Sequence, residues 1–146
     1  MSDVGDNNFM RYVYRGEEDE AIPEGATHIT VHESVTVIRA RAFQWHPNIV
    51  EVVCHEHVEE IEGNAFAFCP RLRRVIMPGV KIVELCAFDN CTALKDDVEC
   101  DKLEIIKRSA FSCCRSLRSI NLPSARIVKE FAFGCCTALT NAKFGS

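Results

Sequence analysis

Nine cysteines and five histidines are the residues of this chain best equipped for chemistry. The cysteines stand at 54, 69, 86, 91, 100, 113, 114, 135 and 136. A structural zinc site wants thiolates in pairs of the Cys-x-x-Cys kind, and that spacing does not occur. Disulfides would need an oxidising compartment, which the odd count and the absence of a secretory signal oppose. The expected state is therefore reduced, with the thiols packed as small apolar groups. Cys86 and Cys135 are the candidates for a reactive thiol. His32 and His55 occupy matching slots after two strands, with Glu56 and His57 close behind. Adjacent strands lie about 4.8 Å apart, so the two imidazoles could share a metal. Solvated turn histidines are the plainer expectation, and no metal site is assigned. Asp97, Glu99 and Asp101 alternate along one segment, which puts all three on a single wet face rather than around a cation. There is no Gly-x-Ser-x-Gly, no glycine-rich phosphate loop and no pocketed carboxylate pair. Neither catalysis nor a cofactor is expected.

The whole chain sets wider bounds. Seventeen basic against 21 acidic side chains give a net charge of −4, and the pI is near 5.7. That balance argues against non-specific nucleic-acid binding. Arg73, Lys95 and Arg118 make a basic column, read as solvation. No apolar run reaches the roughly 20 residues that span a bilayer. The opening MSDVGDNNFMRYVYRGEEDE has neither a basic n-region nor an apolar h-region. A soluble, intracellular and cytoplasmic protein is the expectation.

The elements that position these residues are repeats. Ala-Phe recurs at 42–43, 65–66, 87–88, 110–111 and 132–133, a period of 22 or 23 residues. A fixed period in the twenties is a solenoid signature. Three places after each Phe stand His46, Cys69, Cys91, Cys114 and Cys136; six places after stand Ile49, Leu72, Leu94, Leu117 and Leu139. Five places before stand Ile38, Ile61, Val83, Ile106 and Val128. These columns are inward positions of stacked coils. Between the anchors, Ile29/Val31, Val52/Cys54, Val75/Met77, Val98/Cys100, Ile120/Leu122 and Ala142/Phe144 alternate as strands do. Extra residues fall in the polar turns His55-Glu56-His57 and Lys95-Asp96-Asp97. Each coil reads as strand, turn, short extended segment and a helical turn at Ala-Phe-x-x-Cys, which Pro47 and Pro70 would end.

The columns resemble a known family. Leu117-x-x-Ile120-x-Leu122-Pro123, then Ala125-x-x-Val128, then Ala132-Phe133-x-x-Cys136 is similar to the BspA-like, or Treponema pallidum type, leucine-rich repeat. Leu72-x-x-Val75-x-Met77-Pro78 through Ala87-Phe88-x-x-Cys91 matches nearly as well, and the resemblance covers roughly residues 21–144. His46 departs from the Cys column, and the glycine usual after V-x-x-I is replaced at Arg39, Glu62, Glu84, Lys107 and Lys129. The resemblance implies an α/β-type leucine-rich repeat solenoid with right-handed coils, a parallel β-sheet and short helical turns. It also implies use in recognition or adhesion, with no shared enzymatic activity.

Residues 1–20 read as a tail and a capping strand, and 21–146 as about five repeats with the last incomplete. Within the first part, 1–8 should be flexible, Phe9–Arg15 should form the strand, and Glu17–Glu20 should make a solvated acidic turn. At the other end Ala142-Lys143-Phe144 begins a strand with no polar cover, so this coil either continues into a longer array or is covered by another chain. A protein partner is expected on the outward strand residues. Alternation places His28, Glu51, Arg74, Asp97 and Ser119 in one column, Thr30, Val53, Ile76, Glu99 and Asn121 in a second, and His32, His55, Pro78, Asp101 and Pro123 in a third. Val53 and Ile76 are neighbouring apolar residues on that wet face. The competing expectation is a structural subunit that assembles end to end, or sits in a larger complex, through Phe144 and the uncapped coil.

Overall fold

Period-2 alternation over segments of two to four residues is enough for a strand only where a neighbouring coil supplies the hydrogen bonds. The computed structural model, which describes residues 8–95 and 97–145, consists of such segments stacked on one another. On one side lie β1 (Arg11–Tyr14), β2 (His28–Val31), β4 (Glu51–Val53), β6 (Arg74–Ile76) and β8 (Asp97–Glu99), all parallel and hydrogen-bonded in that order. After β8, β10 (Ser119–Leu122) and β12 (Asn141–Phe144) pair as a parallel two-stranded sheet. The single sheet expected from the repeats is thus divided. The extended segments form a second five-stranded parallel sheet: β3 (Val37–Ile38), β5 (Glu60–Ile61), β7 (Ile82–Val83), β9 (Ile105–Ile106) and β11 (Ile127–Val128).

The core is the set of columns. Phe43, Phe66, Phe88 and Phe111 are buried and stack ring on ring, with centroids 5.0–5.1 Å apart and planes within 5° of parallel. Phe133 continues the ladder at 5.4 Å, and Tyr14 closes it at 5.0 Å from Phe43. Ala beside each Phe leaves room for this spacing. Behind the rings, Cys69, Cys91, Cys114 and Cys136 each donate a thiol hydrogen bond to the carbonyl of Phe43, Phe66, Phe88 or Phe111 in the preceding coil, at 3.0–3.3 Å. His46, the departure from that column, reaches back in the same way: its Nε2 lies 2.9 Å from the Pro23 carbonyl. Imidazole and thiol thus do one job.

No helical turn forms at Ala-Phe-x-x-Cys, and among the described residues there is no helix. The amides decide this. In the coil of Phe66, the N–H groups of Ala65 and Ala67 bond back to Glu62 and Asn64, three residues earlier. Those of Asn64, Phe66 and Phe68 instead donate to Leu85, Ala87 and Asp89 of the next coil. Every second donor leaves the local turn, so an i→i−4 ladder cannot close. The residues two before and two after each Phe take left-handed φ, from 55° at Cys86 to 65° at Trp45. That conformation is costly for L-residues, and the inter-coil bonds hold it in place.

At the N-terminal end, β1 pairs with β2 beside the first coil, and Tyr14 is 1% exposed. The acidic turn is not simply solvated. Glu20 turns back to accept hydrogen bonds from the Tyr12 hydroxyl at 2.6 Å and from the amides of Arg15 and Glu17. It blunts the edge of the cap. Apart from Asn8, the expectation of a flexible stretch over 1–8 lies outside the described residues.

Candidate functional site

The outer face of the first sheet is set by register. Arg11, His28, Glu51, Arg74 and Asp97 are Cα partners across five strands, and so are Val13, Thr30, Val53, Ile76 and Glu99. The middle column places Val53 beside Ile76 and extends the apolar stripe through Thr30 to Val13, which is 36% exposed. Three of these four positions are aliphatic, and Glu99 ends the stripe. Sequence reasoning missed Val13 because it treated the first strand only as a cap, although the alternation of Phe9–Arg15 carried the signal.

The flanks are polar. Arg74 Nη1 sits 3.0 Å from Glu51 Oε2 across adjacent strands. His28 Nδ1 is held by the Thr27 hydroxyl at 2.8 Å, and its ring lies 4.1 Å from that of Phe9. On the other flank, His55 Nε2 is 3.0 Å from the His32 carbonyl and its Nδ1 accepts the amide of His57. His32 Nδ1 pairs with the Ser34 hydroxyl. These rings are engaged with the backbone and with Ser34, and among the described residues no three His, Cys, Asp or Glu side chains converge as metal ligands. Of the remaining predicted positions, Asp101 is exposed in the turn after β8, and Ser119 and Asn121 lie in the two-stranded part, opposite Asn141 and Lys143. They do not share the ladder of the apolar stripe.

The buried strand and column thiols of Cys54, Cys69 and Cys100 offer little nucleophilic character. Burial pushes Cys54, Cys69 and Cys100 up to about 12, and burial raises Cys86, one of the two candidates, as well. Cys136 is lowered to about 7 by its side-chain interaction with Cys114. All nine cysteines are free.

Phe144 lies at the other candidate surface. The last coil leaves Ile127 43%, Val128 42%, Phe131 62% and Phe144 52% exposed. Of the equivalents one coil earlier, Ile106 and Leu122 are fully buried, and Ile105 and Ser109 are half-buried. No described segment covers this end.

Residues 24–95 match the BspA type leucine rich repeat region, in six copies. A leucine rich cell surface protein from Faecalibacterium prausnitzii superposes with a TM-score of 0.78 at 26% identity, over 86% of this chain and 34% of that one. A leucine-rich repeat protein from Bacteroides ovatus gives 0.68 at 29% identity, over 75% and 29%. A Treponema pallidum leucine rich repeat protein gives 0.70 at 25% identity, over 92% and 58%. The chain therefore spans 34%, 29% and 58% of these proteins, less than two thirds of each. No curated protein matches.

Proposed function

We propose that this chain, an array of BspA-type leucine-rich repeats, is a protein-recognition module that binds through the outer face of its first sheet, without catalysis. The observation that carries the reading is the stripe Val13–Thr30–Val53–Ile76, in register across four strands between two polar columns. An apolar strip about 14 Å long inside a mostly polar rim has the make-up of an interface core with its rim. The family supports a recognition role, and no catalytic family is indicated. The test is the double variant Val53→Asp with Ile76→Asp, checked for an unchanged circular dichroism spectrum. Loss of the partners crosslinked by the unmodified chain is expected, and an unchanged set would overturn the reading.

A second reading is a structural subunit in which Val128, Phe131 and Phe144, exposed in the last described coil, pack against another chain rather than against a further coil of a longer array. Phe144→Lys should then abolish that contact, and a contact surviving it would remove this reading. We also place the chain in a reducing compartment. The four thiol-to-carbonyl hydrogen bonds of the Cys column support this, since a disulfide would remove them. The Faecalibacterium protein is a surface protein, so fractionation of the native protein distinguishes the two locations.

A further inference from the structure

The second sheet carries charge in an order that the stacking of coils alone does not require. On its outer face, next to the strands, Glu62, Glu84, Lys107 and Lys129 follow one another in register from β5 to β11. At the corner before the strands the order is Glu59, Lys81, Glu104 and Arg126. There Lys81 pairs with Glu59, and Arg126 with Glu104, each at 3.6 Å. Between these columns run Glu60, Ile82, Ile105 and Ile127. Ile82 and Ile105 are half-buried and Ile127 is exposed, so the sheet has an apolar centre on its outer surface.

Both charge columns invert their sign under the same operation. Take a two-fold axis parallel to the strands and midway between β7 and β9, and lay a second copy face to face. Coil order reverses while strand direction is kept. Glu84 then faces Lys107 of the other copy, and Glu62 faces Lys129. In the corner column Lys81 faces Glu104, and Glu59 faces Arg126. From β5 to β11 every charge in the two columns meets its opposite and Ile82 meets Ile105, while Arg39, after β3, lies beyond the overlap. The one mismatch places Glu60 against Ile127. Glu60 is hydrogen-bonded to Glu84, and that bond with burial raises its carboxyl to about 7, which lessens the charge set against the isoleucine.

We propose that the outer face of the second sheet is a self-complementary surface on which two copies of this chain pair about that two-fold axis. An interface of this symmetry uses one patch twice, so a single chain must carry both signs in mirrored order. These two columns do. The matched strip is about 15 Å by 10 Å before its rims are counted, about 300 Å² over both copies and well below the roughly 1,200 Å² of a standard specific interface. The pairing is accordingly weak and sensitive to salt. It uses a face distinct from the stripe on the first sheet and from the open coil, so it stands or falls apart from both earlier readings.

Sedimentation velocity at high protein concentration tests it. Ionic strength is varied so that the screening length falls from about 30 Å to about 3 Å, and the association constant should drop by at least about tenfold. Glu62→Lys with Glu84→Lys makes these four positions of the outer column wholly positive, and Lys107→Glu with Lys129→Glu makes them wholly negative. Each double variant alone should be monomeric. An equimolar mixture of the two should dimerise, and the fourfold inversion in one chain should recover self-association. Glu62 also accepts the Ala40 amide, so if its variant does not fold, Glu59→Lys with Glu104→Lys against Lys81→Glu with Arg126→Glu repeats the test on the corner column. A chain that is monomeric at low salt would overturn the proposal. So would a dimer that survives Lys107→Glu with Lys129→Glu but is lost on Phe144→Lys, because that contact is the open coil.

Discussion

Phe88 stands third in a ladder of five phenylalanines, fully buried, with rings 5.1 Å away on both sides. Replacing it with Ala removes about 150 Å² of apolar surface, worth about 4 kcal/mol at about 25 cal/mol per Å². Two stacked contacts are lost as well, each worth about 0.5–1.5 kcal/mol beyond area. Relaxation of the neighbours recovers part of this, so an expected cost of about 4–5 kcal/mol sits at the top of the range for Phe→Ala. The comparison is Phe133→Ala. That ring is half-buried and has one neighbour, at 5.4 Å, so about 1–2 kcal/mol is expected. Urea unfolding followed by far-ultraviolet circular dichroism, with linear extrapolation, measures both. If Phe88→Ala leaves no folded baseline, Phe88→Leu preserves the comparison at a smaller cost. Equal costs at 88 and 133, or less than about 1 kcal/mol at 88, would refute the idea that the ladder stabilises through rings stacked on both faces.

Gly79 lies against the Glu56 backbone, where an added Cβ would overlap the Glu56 carbonyl. Gly79→Ala should therefore cost about 2–4 kcal/mol by the same urea measurement, and an unshifted midpoint would contradict the close approach. Glu20 is pushed up by burial but pulled further down by hydrogen bonds from Tyr12 and the amides of Arg15, Glu17 and Gly16. Its lowered pKa means that its stabilisation is present at neutral pH and lost as pH falls through the folded value. Glu20→Gln should lower stability by about 1–2 kcal/mol at pH 7 and have little effect in strong acid, which thermal melts at the two pH values would check. Glu60 runs the other way. With its carboxyl raised to about 7 by the Glu84 hydrogen bond, burial and nearby acids, its contribution is present at mildly acid pH and lost as pH rises through neutrality. Melting points measured at pH 5 and pH 8 should differ less for Glu60→Gln than for the unmodified chain. Thiol titration in denaturant should recover all nine cysteines, and fewer would contradict the reduced Cys column.

The period of the anchors fixed which residues face inward: the Phe ladder, the thiol column and Ile38 through Val128 could all be read from spacing, because coils stacked at one rise put equal residues in equal places. The strands of the first sheet were legible for the same reason, and with them Val53 beside Ile76. His46 could be placed in the Cys column, but its bond to the Pro23 carbonyl depends on how the cap folds back. The absence of a helix at Ala-Phe-x-x-Cys belongs to the tertiary structure alone. The local sequence permits a helical turn, and only a neighbouring coil can draw off every second amide. The second sheet was hidden for a related reason. Two-residue strands such as Ile82–Val83 are too short to display alternation, and they become strands only when the coils on either side pair with them. With that sheet unseen, Glu62, Glu84, Lys107 and Lys129 read as departures from a glycine slot. Stacking turns residues 22 or 23 apart in sequence into neighbours about 5 Å apart, and it is this change of distance that makes a charge pattern of them.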